Sequence, residues 1–501
     1  MVLPMPPLRR RLLDSRALPA ALVAVFVVLI LITIRRFSIW IDESATLELV
    51  GLNGYMDIAH KTAIDVHPPL GYWVLKPWLQ VFGVNIVAAR AESAVFMLAA
   101  IGLWYHFVRT RFSRPLALLT LTILVTNPMM LHYAVEGRMY AFGVLLTALS
   151  TLLITGRWRW RWIAYWLVGV AMLYTHYFLA FALAAQFAYL LLRRRDQERS
   201  ALWFVLFGAS MIVAFAPWIP IARHGTHAVE KTGYWIGPLT PTTVLTYVLG
   251  AFLSRVDSDL TDWRVFPGMA YLAVWGASLI RAGRAKTGPY ALLWIGIAVP
   301  WVLLFILSCK PFVPVFHPRY VIYGLPGMIT LLCAGALAFT GRWRTVTICV
   351  LVAGNLMGLR MQRWRGFNDT RGYYSMKQIA REISKPIDGD LPTIVSTWLF
   401  PFFDARASLS DDQRVVFVRD KPPSLHLFPD VIYADRPDWY VFGLPEIRAS
   451  HVWLLEDALA SPAAVPDTWH LVVTHRRGYA RTRLFTVGPP SRSGPAAPPV
   501  P

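Results

Sequence analysis

The sequence is short of charge. Asp, Glu, Lys and Arg make up 16% of its 501 residues, against 56% apolar residues. A soluble chain of this length folds as several domains with a far more charged surface, so a wholly water-facing protein is excluded. Cysteine is scarcer still. Cys309, Cys333 and Cys349 lie in or beside apolar segments without metal-type spacing, which leaves no disulfide framework and no cysteine metal site. There is no Gly-rich loop of the kind that cradles a soluble nucleotide. No nucleic-acid motif has a supporting context, so the net charge of +20 needs another explanation.

What the chain has in abundance is apolar runs of membrane length. Spans are expected near 17–34, 86–108, 115–131, 139–155, 161–175, 177–192, 201–221, 266–281, 289–308, 320–340 and 345–360. That makes about eleven crossings, each near the ~20 residues a bilayer needs. The basic start "RRRLLDSRALPAAL" is that of a signal peptide, but its apolar stretch is too long and no small-residue cleavage site follows. An uncleaved signal anchor is expected. The surplus positive charge then has a topological meaning. Arg9, Arg10, Arg11 and Arg16, followed by "RTRFSR", "GRWRWR", "RRRDQER", "RAGRAK" and "GRWR" in alternate loops, all fall on one side, which should be the cytoplasm. Arg35 and Arg36 are a local exception. The excess of Arg over Lys is the bias of a GC-rich bacterial genome, so the expected location is a bacterial cytoplasmic (inner) membrane.

Beyond the last span the character changes. "KQIAREI" has helical spacing, and "LPTIVSTW", "QRVVFVRD", "HVWLLED" and "HLVVTHR" are short strand-like runs between turn residues. The expected fold class is an α-helical polytopic membrane protein (residues 1–360) with a small extracytoplasmic α/β domain (residues 361–487). A Pro-rich disordered tail, residues 488–501, follows. The short apolar stretch at residues 241–254 is expected to be re-entrant or interfacial, since a crossing there breaks the charge alternation.

The unusual polar residues gather in the loops opposite the basic ones. The first of these, about residues 35–85, holds Asp42 and Glu43 in "IDES" and His67 before Pro68–Pro69, under Tyr72, Trp73 and Trp78. Those groups either solvate a loop or line a polar site. In "HYAVEGRMYAFG", Glu136, Arg138 and Tyr140 stand at a membrane edge, where ionised groups need a partner or a wet cavity. "YTHYF" places His176 among aromatics, as an interfacial anchor or a ligand. "VFHPRYVIYGLP" carries Arg319, which either snorkels or offers its planar fork to a phosphate, and Tyr320. His224 and His227 in "ARHGTH" have metal-like spacing but no third ligand nearby. A carboxylate, a histidine, arginines and aromatics on one side of a membrane suit transfer of a sugar from a lipid phosphate.

Taken in order, Asp42–Glu43 after the first span, "HPPLGYW", "EGRMYAF", "YTHY" and "HPRY" resemble the GT-C membrane glycosyltransferases. The chain is similar to bacterial protein O-mannosyltransferase-like and aminoarabinose-transferase-like proteins over roughly residues 10–340. The resemblance implies an inverting transferase with a polyprenyl-phosphate sugar donor and an active site at the outer face. Asp42 would be the general base, with Glu43 supporting it. His67, Arg138 and Arg319 would contact the donor phosphate or sugar, with Glu136, Tyr140, His176 and Tyr320 completing that subsite. The acceptor would be an envelope glycan, lipid or protein, and the other partners membrane lipids. No cofactor is firmly implied, though a divalent metal fits the chemistry. Three rivals are a transporter or flippase of lipid-linked sugars, a ligase using a diphosphate-linked donor, and a non-catalytic envelope assembly protein. A transporter favours polar residues at mid-span, whereas here they stand at the outer ends.

The charge alternation makes a direct prediction. A reporter fused after residue 365 should be active only if it works outside the cytoplasm, and activity of a cytoplasm-only reporter at that point would reverse the orientation.

Overall fold

The computed structural model describes residues 16–36, 39, 41–63, 67–221, 223, 240, 273–274, 276–281, 283, 288–309, 315–365, 376–397, 402, 405–406, 409–410, 412–418, 436–457, 461–477 and 480–488. The expected re-entrant segment at 241–254, the pair His224 and His227, and the Pro-rich tail beyond Gly488 lie outside the described residues, as does much of the expected span at 266–281. The chain divides into two compact units. One comprises Met1–Arg36 with Leu49–Phe367, the other Phe37–Glu48 with Asn368–Pro501.

The first unit is helical. Its described helices are α1 (Ala17–Thr33), the end of α2 (Ile41–Leu52), α3 (Tyr55–Thr62), α4 (Leu70–Phe82), α5 (Ile86–Arg111), α6 (Arg114–Thr126), α7 (Pro128–Ala134), α8 (Tyr140–Thr155), α9 (Arg161–Thr175), α10 (Leu179–Leu192), α11 (Ala201–Phe215), α12 (Gly288–Leu307), α13 (Leu325–Leu337) and α14 (Gly341–Arg365). By length and composition, Ile86–Arg111, Ala201–Ile221 and Gly288–Leu307 suffice to cross a membrane, and α6 with α7 makes a fourth if taken as one bent span. Four further apolar helices, among them α1, α8 and α10, are shorter.

Two sequence expectations are corrected. The loop drawn at 35–85 contains three helices, α2 to α4, so "IDES" opens a helix rather than a loop. The span drawn straight through 115–131 breaks at Asn127, with a 62° bend. Asn127 precedes Pro128 and is held extended (φ −75°, ψ 125°), while its side chain accepts from the backbone N–H of Met129 and Met130 at 3.0 and 3.1 Å. Its amide also donates to Asn355 Oδ1 at 3.1 Å, tying the break to α14.

Polar pairs and small residues join the helices where lipid-like side chains supply little directional preference. Trp104 Nε1 donates to Thr330 Oγ1 at 2.9 Å between α5 and α13. Gln186 Nε2 donates to Ser150 Oγ at 2.8 Å between α10 and α8. At α5, Asn85 caps the helix by accepting from Ala88 N–H, and Arg109 and Arg111 sit at its other end, where cations oppose the helix dipole. The buried Arg90 of α5 donates to the Ile34 carbonyl at 3.0 Å, anchoring the end of α1.

The second unit is a six-stranded sheet with strands β1 (Thr393–Ser396), β2 (Val415–Val418), β3 (Tyr440–Val441), β4 (His451–Asp457), β5 (Trp469–Arg477) and β6 (Ala480–Val487) in the order β3-β2-β1-β4-β6-β5. β1 to β4 pair in parallel, while β6 runs antiparallel to β4 and β5. Successive residues feed opposite faces. Ile394, Val415 and Leu455 pack on one side with Ile379, Ile383 and Phe402, and Val395, Val416 and Leu454 pack on the other with Trp469 and Phe485. The helix α15 (Met376–Ile383) covers the first face. Ala45 from the opening turns of α2 belongs to that same core, and Glu48 accepts from Arg406 Nε at 3.2 Å.

Arg483 and Glu456 form a bidentate pair at 2.6 and 2.8 Å, and Glu456 is only 3% exposed. Removing one partner strands a buried charge, which typically costs about 3–5 kcal/mol, whereas an apolar replacement of both is far better tolerated. Arg483→Leu should therefore lower the denaturant midpoint of this unit in the full-length protein, read by protease susceptibility, and Glu456→Met in the same chain should restore most of the loss. An unchanged midpoint in Arg483→Leu would refute this assignment.

Candidate active site

Several helix ends of the first unit converge on one buried polar cluster. Pro68 and Pro69 lead into α4, which sets His67 just before the helix and Tyr72 in its first turn. Gly71 lets α4 approach Met139, since a Cβ there would stand 2.7 Å from Met139 Cβ. The link between α7 and α8 turns tightly, with Arg138 N–H donating to the Glu136 carbonyl at 2.8 Å. Ser93 of α5 donates to the Arg138 carbonyl at 3.3 Å, which fixes that turn against the bundle.

Arg138 then reaches inward. Its Nη1 donates to Tyr72 Oη at 3.1 Å, and its Nη2 lies 3.5 Å from His67 Nδ1. The His67 ring lies 5.2 Å from His176, which in turn faces Tyr140, Tyr320 and Tyr323 at 5.6, 5.7 and 5.7 Å between ring centroids. Two short 3-10 turns, Pro318–Tyr320 and Ile322–Gly324, bring Arg319, Tyr320 and Tyr323 to this point before α13 begins. The guanidinium carbon of Arg319 stands 6.0 Å from the Tyr140 ring, and Phe178 stacks on Tyr320 at 4.2 Å. His132 Nε2 lies 3.5 Å from Glu136 Oε2.

His67, Glu136, Arg138, Tyr140, His176 and Tyr320 are all buried here, and Arg319 is half-buried. The N-termini of α8, α10 and α13 open at the same end of the bundle, so their positive dipole ends add to the two guanidinium charges. Burial first, then His67, Arg138 and Arg319, push the His176 imidazole well below its usual range, so this side chain is neutral. Arg138 and Arg319 together outweigh the buried Glu136 carboxylate, so the cluster keeps a net positive charge and is lined by aromatic faces. Anions are what such a region attracts.

Tyr320, Tyr323 and Phe178 have a second role. With Trp104, Leu293 and Pro300 they line a mostly apolar cavity between α5, α8, α10, α12 and α13. The charged cluster thus adjoins an apolar cavity. Asp42 and Glu43 belong to the other unit, in the first turn of α2; Glu43 is buried, Asp42 is partly buried, and Thr46 Oγ1 donates to the Asp42 carbonyl at 2.6 Å. Among the described residues, no three His, Cys, Asp or Glu side chains gather as a metal site.

Tyr323 was not singled out from the sequence. It lies three residues after Tyr320 in a run of interfacial aromatics, and one tyrosine among many carries no local signal. The signal lies at a distance: Gly143 of α8 has no side chain because the Tyr323 ring occupies that space.

Residues 66–221 match the family described as dolichyl-phosphate-mannose-protein mannosyltransferase. Comparison with curated protein sequences finds no significant match. Among solved structures, ArnT from Cupriavidus metallidurans in the apo state superposes with a TM-score of 0.58 at 14% identity, covering 94% of this chain and 99% of ArnT. The same protein bound to undecaprenyl phosphate superposes with a TM-score of 0.60, at the same identity and coverage. The chain has the ArnT-like GT-C fold, with a small C-terminal sheet domain, and the resemblance drawn from the short motifs holds.

The Gly143 contact is testable. A Cβ there would run into the Tyr323 ring and lie 3.2 Å from Leu179 Cδ1. Overpacking of this kind typically costs about 1–3 kcal/mol. Gly143→Ala should lower the thermal midpoint of the purified protein clearly, and much less in a Tyr323→Ala background. Equal losses in both backgrounds would mean that Tyr323 is not what Gly143 accommodates.

Proposed function

We propose that this protein is an inverting membrane glycosyltransferase that moves a sugar from a polyprenyl-phosphate donor to an envelope glycan, lipid or protein. The observation that carries the reading is the meeting of Arg138, Arg319, His67 and His176 in one buried aromatic cluster beside an apolar cavity. A phosphate on a long apolar tail presents the two chemistries that the cluster and the neighbouring cavity offer. The shared fold with ArnT, whose structure has been solved with undecaprenyl phosphate, supports the same choice of ligand.

In this reading the arginines and His67 balance the phosphate charge, which grows as the sugar–phosphate bond breaks. Stabilisation of that kind acts on the leaving group, where charge develops. Asp42 takes the proton of the acceptor hydroxyl as it attacks the anomeric carbon, and Glu43 supports it. Attack from the face opposite the leaving phosphate inverts the configuration. The reaction runs at the outer face of a bacterial inner membrane, with about eleven crossings over residues 1–360 and an extracytoplasmic domain at 361–487. Mannose and arabinose both fit this scheme as the transferred sugar.

The test is transfer from a polyprenyl-phosphate sugar by purified protein in lipid. General base catalysis typically contributes about 10²–10⁴-fold, so Asp42→Asn should lower turnover by that order while donor binding is kept. Glu43→Gln should cost less. Near-normal turnover by folded Asp42→Asn protein would remove Asp42 from the role. Accumulation of a polyprenyl-phosphate sugar in a deletion strain would report the same reaction in the cell.

A further inference from the structure

Three polar atoms in the cluster are buried and have no hydrogen-bond partner among the described residues: His176 Nε2, Tyr140 Oη and Tyr323 Oη. The three residues are 1%, 1% and 3% exposed. A buried polar atom left without a partner destabilises a fold by roughly the desolvation it has suffered, so three around one point are not a packing accident to be expected. Each belongs to a different part of the chain: the start of α8, the α9–α10 connection and the turn before α13.

The chemistry of these atoms is fixed by their surroundings. His176 Nδ1 accepts from Phe178 N–H at 3.3 Å, so Nδ1 carries a lone pair. In a neutral imidazole the proton is then on Nε2, and the free atom is a donor. Each tyrosine hydroxyl is also a donor. Around them Arg138 and Arg319 outweigh the single carboxylate of Glu136, and three helix N-termini add to the positive side. Neutral donors in a positive field want an anionic acceptor. Tyr323 also lines the apolar cavity, which favours an anion carrying an apolar tail over a free ion.

We propose that His176, Tyr140 and Tyr323 form a set of neutral hydrogen-bond donors that holds the phosphate oxygens of a polyprenyl-phosphate lipid. The inference rests on the glycosyltransferase reading for its ligand and adds to it which atoms hold the phosphate and in what protonation state. The arginines neutralise the phosphate charge, while the neutral donors fix its orientation. The donors also make a prediction that structural residues do not. Because the Tyr140 and Tyr323 hydroxyls have no partner among the described residues, removing them costs the empty protein no hydrogen bond seen there.

The experiment uses full-length protein in detergent, with undecaprenyl phosphate, undecaprenol and inorganic phosphate as probes. Binding and thermal midpoint are measured for wild type, Tyr323→Phe, Tyr140→Phe, His176→Phe and His176→Gln. The empty Tyr140→Phe and Tyr323→Phe proteins should melt at or above the wild-type temperature, whereas His176→Phe also loses the bond from Phe178 N–H and is read by its binding alone. Each should bind undecaprenyl phosphate roughly 10- to 100-fold more weakly, the loss typical of a hydrogen bond to a charged group. His176→Gln keeps a donor amide and should recover much of the affinity. Binding of undecaprenol should not change between variants, and inorganic phosphate should give no shift at the same concentrations. Variants that bind undecaprenyl phosphate as tightly as wild type overturn the proposal, as does a shift with inorganic phosphate as large as with the lipid. Sugar transfer is measured in parallel on wild type. Intact transfer with unaffected variant binding rejects this inference alone, whereas no transfer from any polyprenyl-phosphate donor rejects the enzyme reading itself.

Discussion

The burial of Arg138 constrains everything around it. A guanidinium only 7% exposed, at the end of a helical bundle, is tolerated only if its fork is occupied and its charge is answered. Tyr72 and His67 occupy part of the fork, and Ser93 holds the backbone behind it. Those contacts explain features that look unrelated in the sequence. The double proline sets where α4 starts and so where Tyr72 points. Gly71 allows α4 to come close to Met139. The bend at Asn127 turns α7, and with it the Glu136–Arg138 turn that follows, by 62° from the line of α6.

The second unit is built on a different principle. Its central strands are buried on both faces, so the sheet holds itself together by side-chain alternation rather than by polar pairs between helices. The first turns of α2, which carry Asp42 and Glu43, are part of this unit through Ala45 and Glu48. The carboxylates that the motif reading put at the first membrane loop are thus held by a core that forms mostly from residues more than 300 positions later. If Asp42 is the base, acceptor hydroxyls are met by a side chain whose helix is anchored in the C-terminal sheet.

Much of the first unit was legible because its signals are local. Glu136, Arg138 and Tyr140 stand within five residues, His176 is flanked by aromatics, and Arg319 follows a His-Pro pair. Each motif falls at the end of an apolar run, and helices that alternate in direction bring alternate ends together. What could not be read depends on distance or on local exceptions. The packing of Ala45 against Ile379 and Phe402 has no local trace. Strand β6, "ARTRLFTV", is not among the strand-like runs read from the sequence; its Arg481 and Arg483 interrupt the apolar pattern, and Arg483 is accommodated by its pairing to Glu456. The Asn127 break hides inside an unbroken apolar run, where only the Asn-Pro pair marks it.

The cluster also shows why arginines and neutral donors are found together. A guanidinium attracts an anion over several ångströms but is costly to bury, so the number of charges a membrane-level pocket can hold is limited. A tyrosine hydroxyl or a neutral imidazole N–H costs much less to bury and acts only at contact distance. Adding a third cation beside Arg138 and Arg319 would raise the attraction for any anion and the penalty of the empty state together. Adding Tyr140, Tyr323 and His176 raises the attraction only for a group that reaches their donors at the right angles. Discrimination among anions then lies with the neutral residues, and the general preference for negative charge lies with the arginines. The same division explains the fixed tautomer of His176. Protonating it would put a third cation in the cluster, and the Phe178 N–H that occupies Nδ1, together with burial beside two arginines, opposes that change.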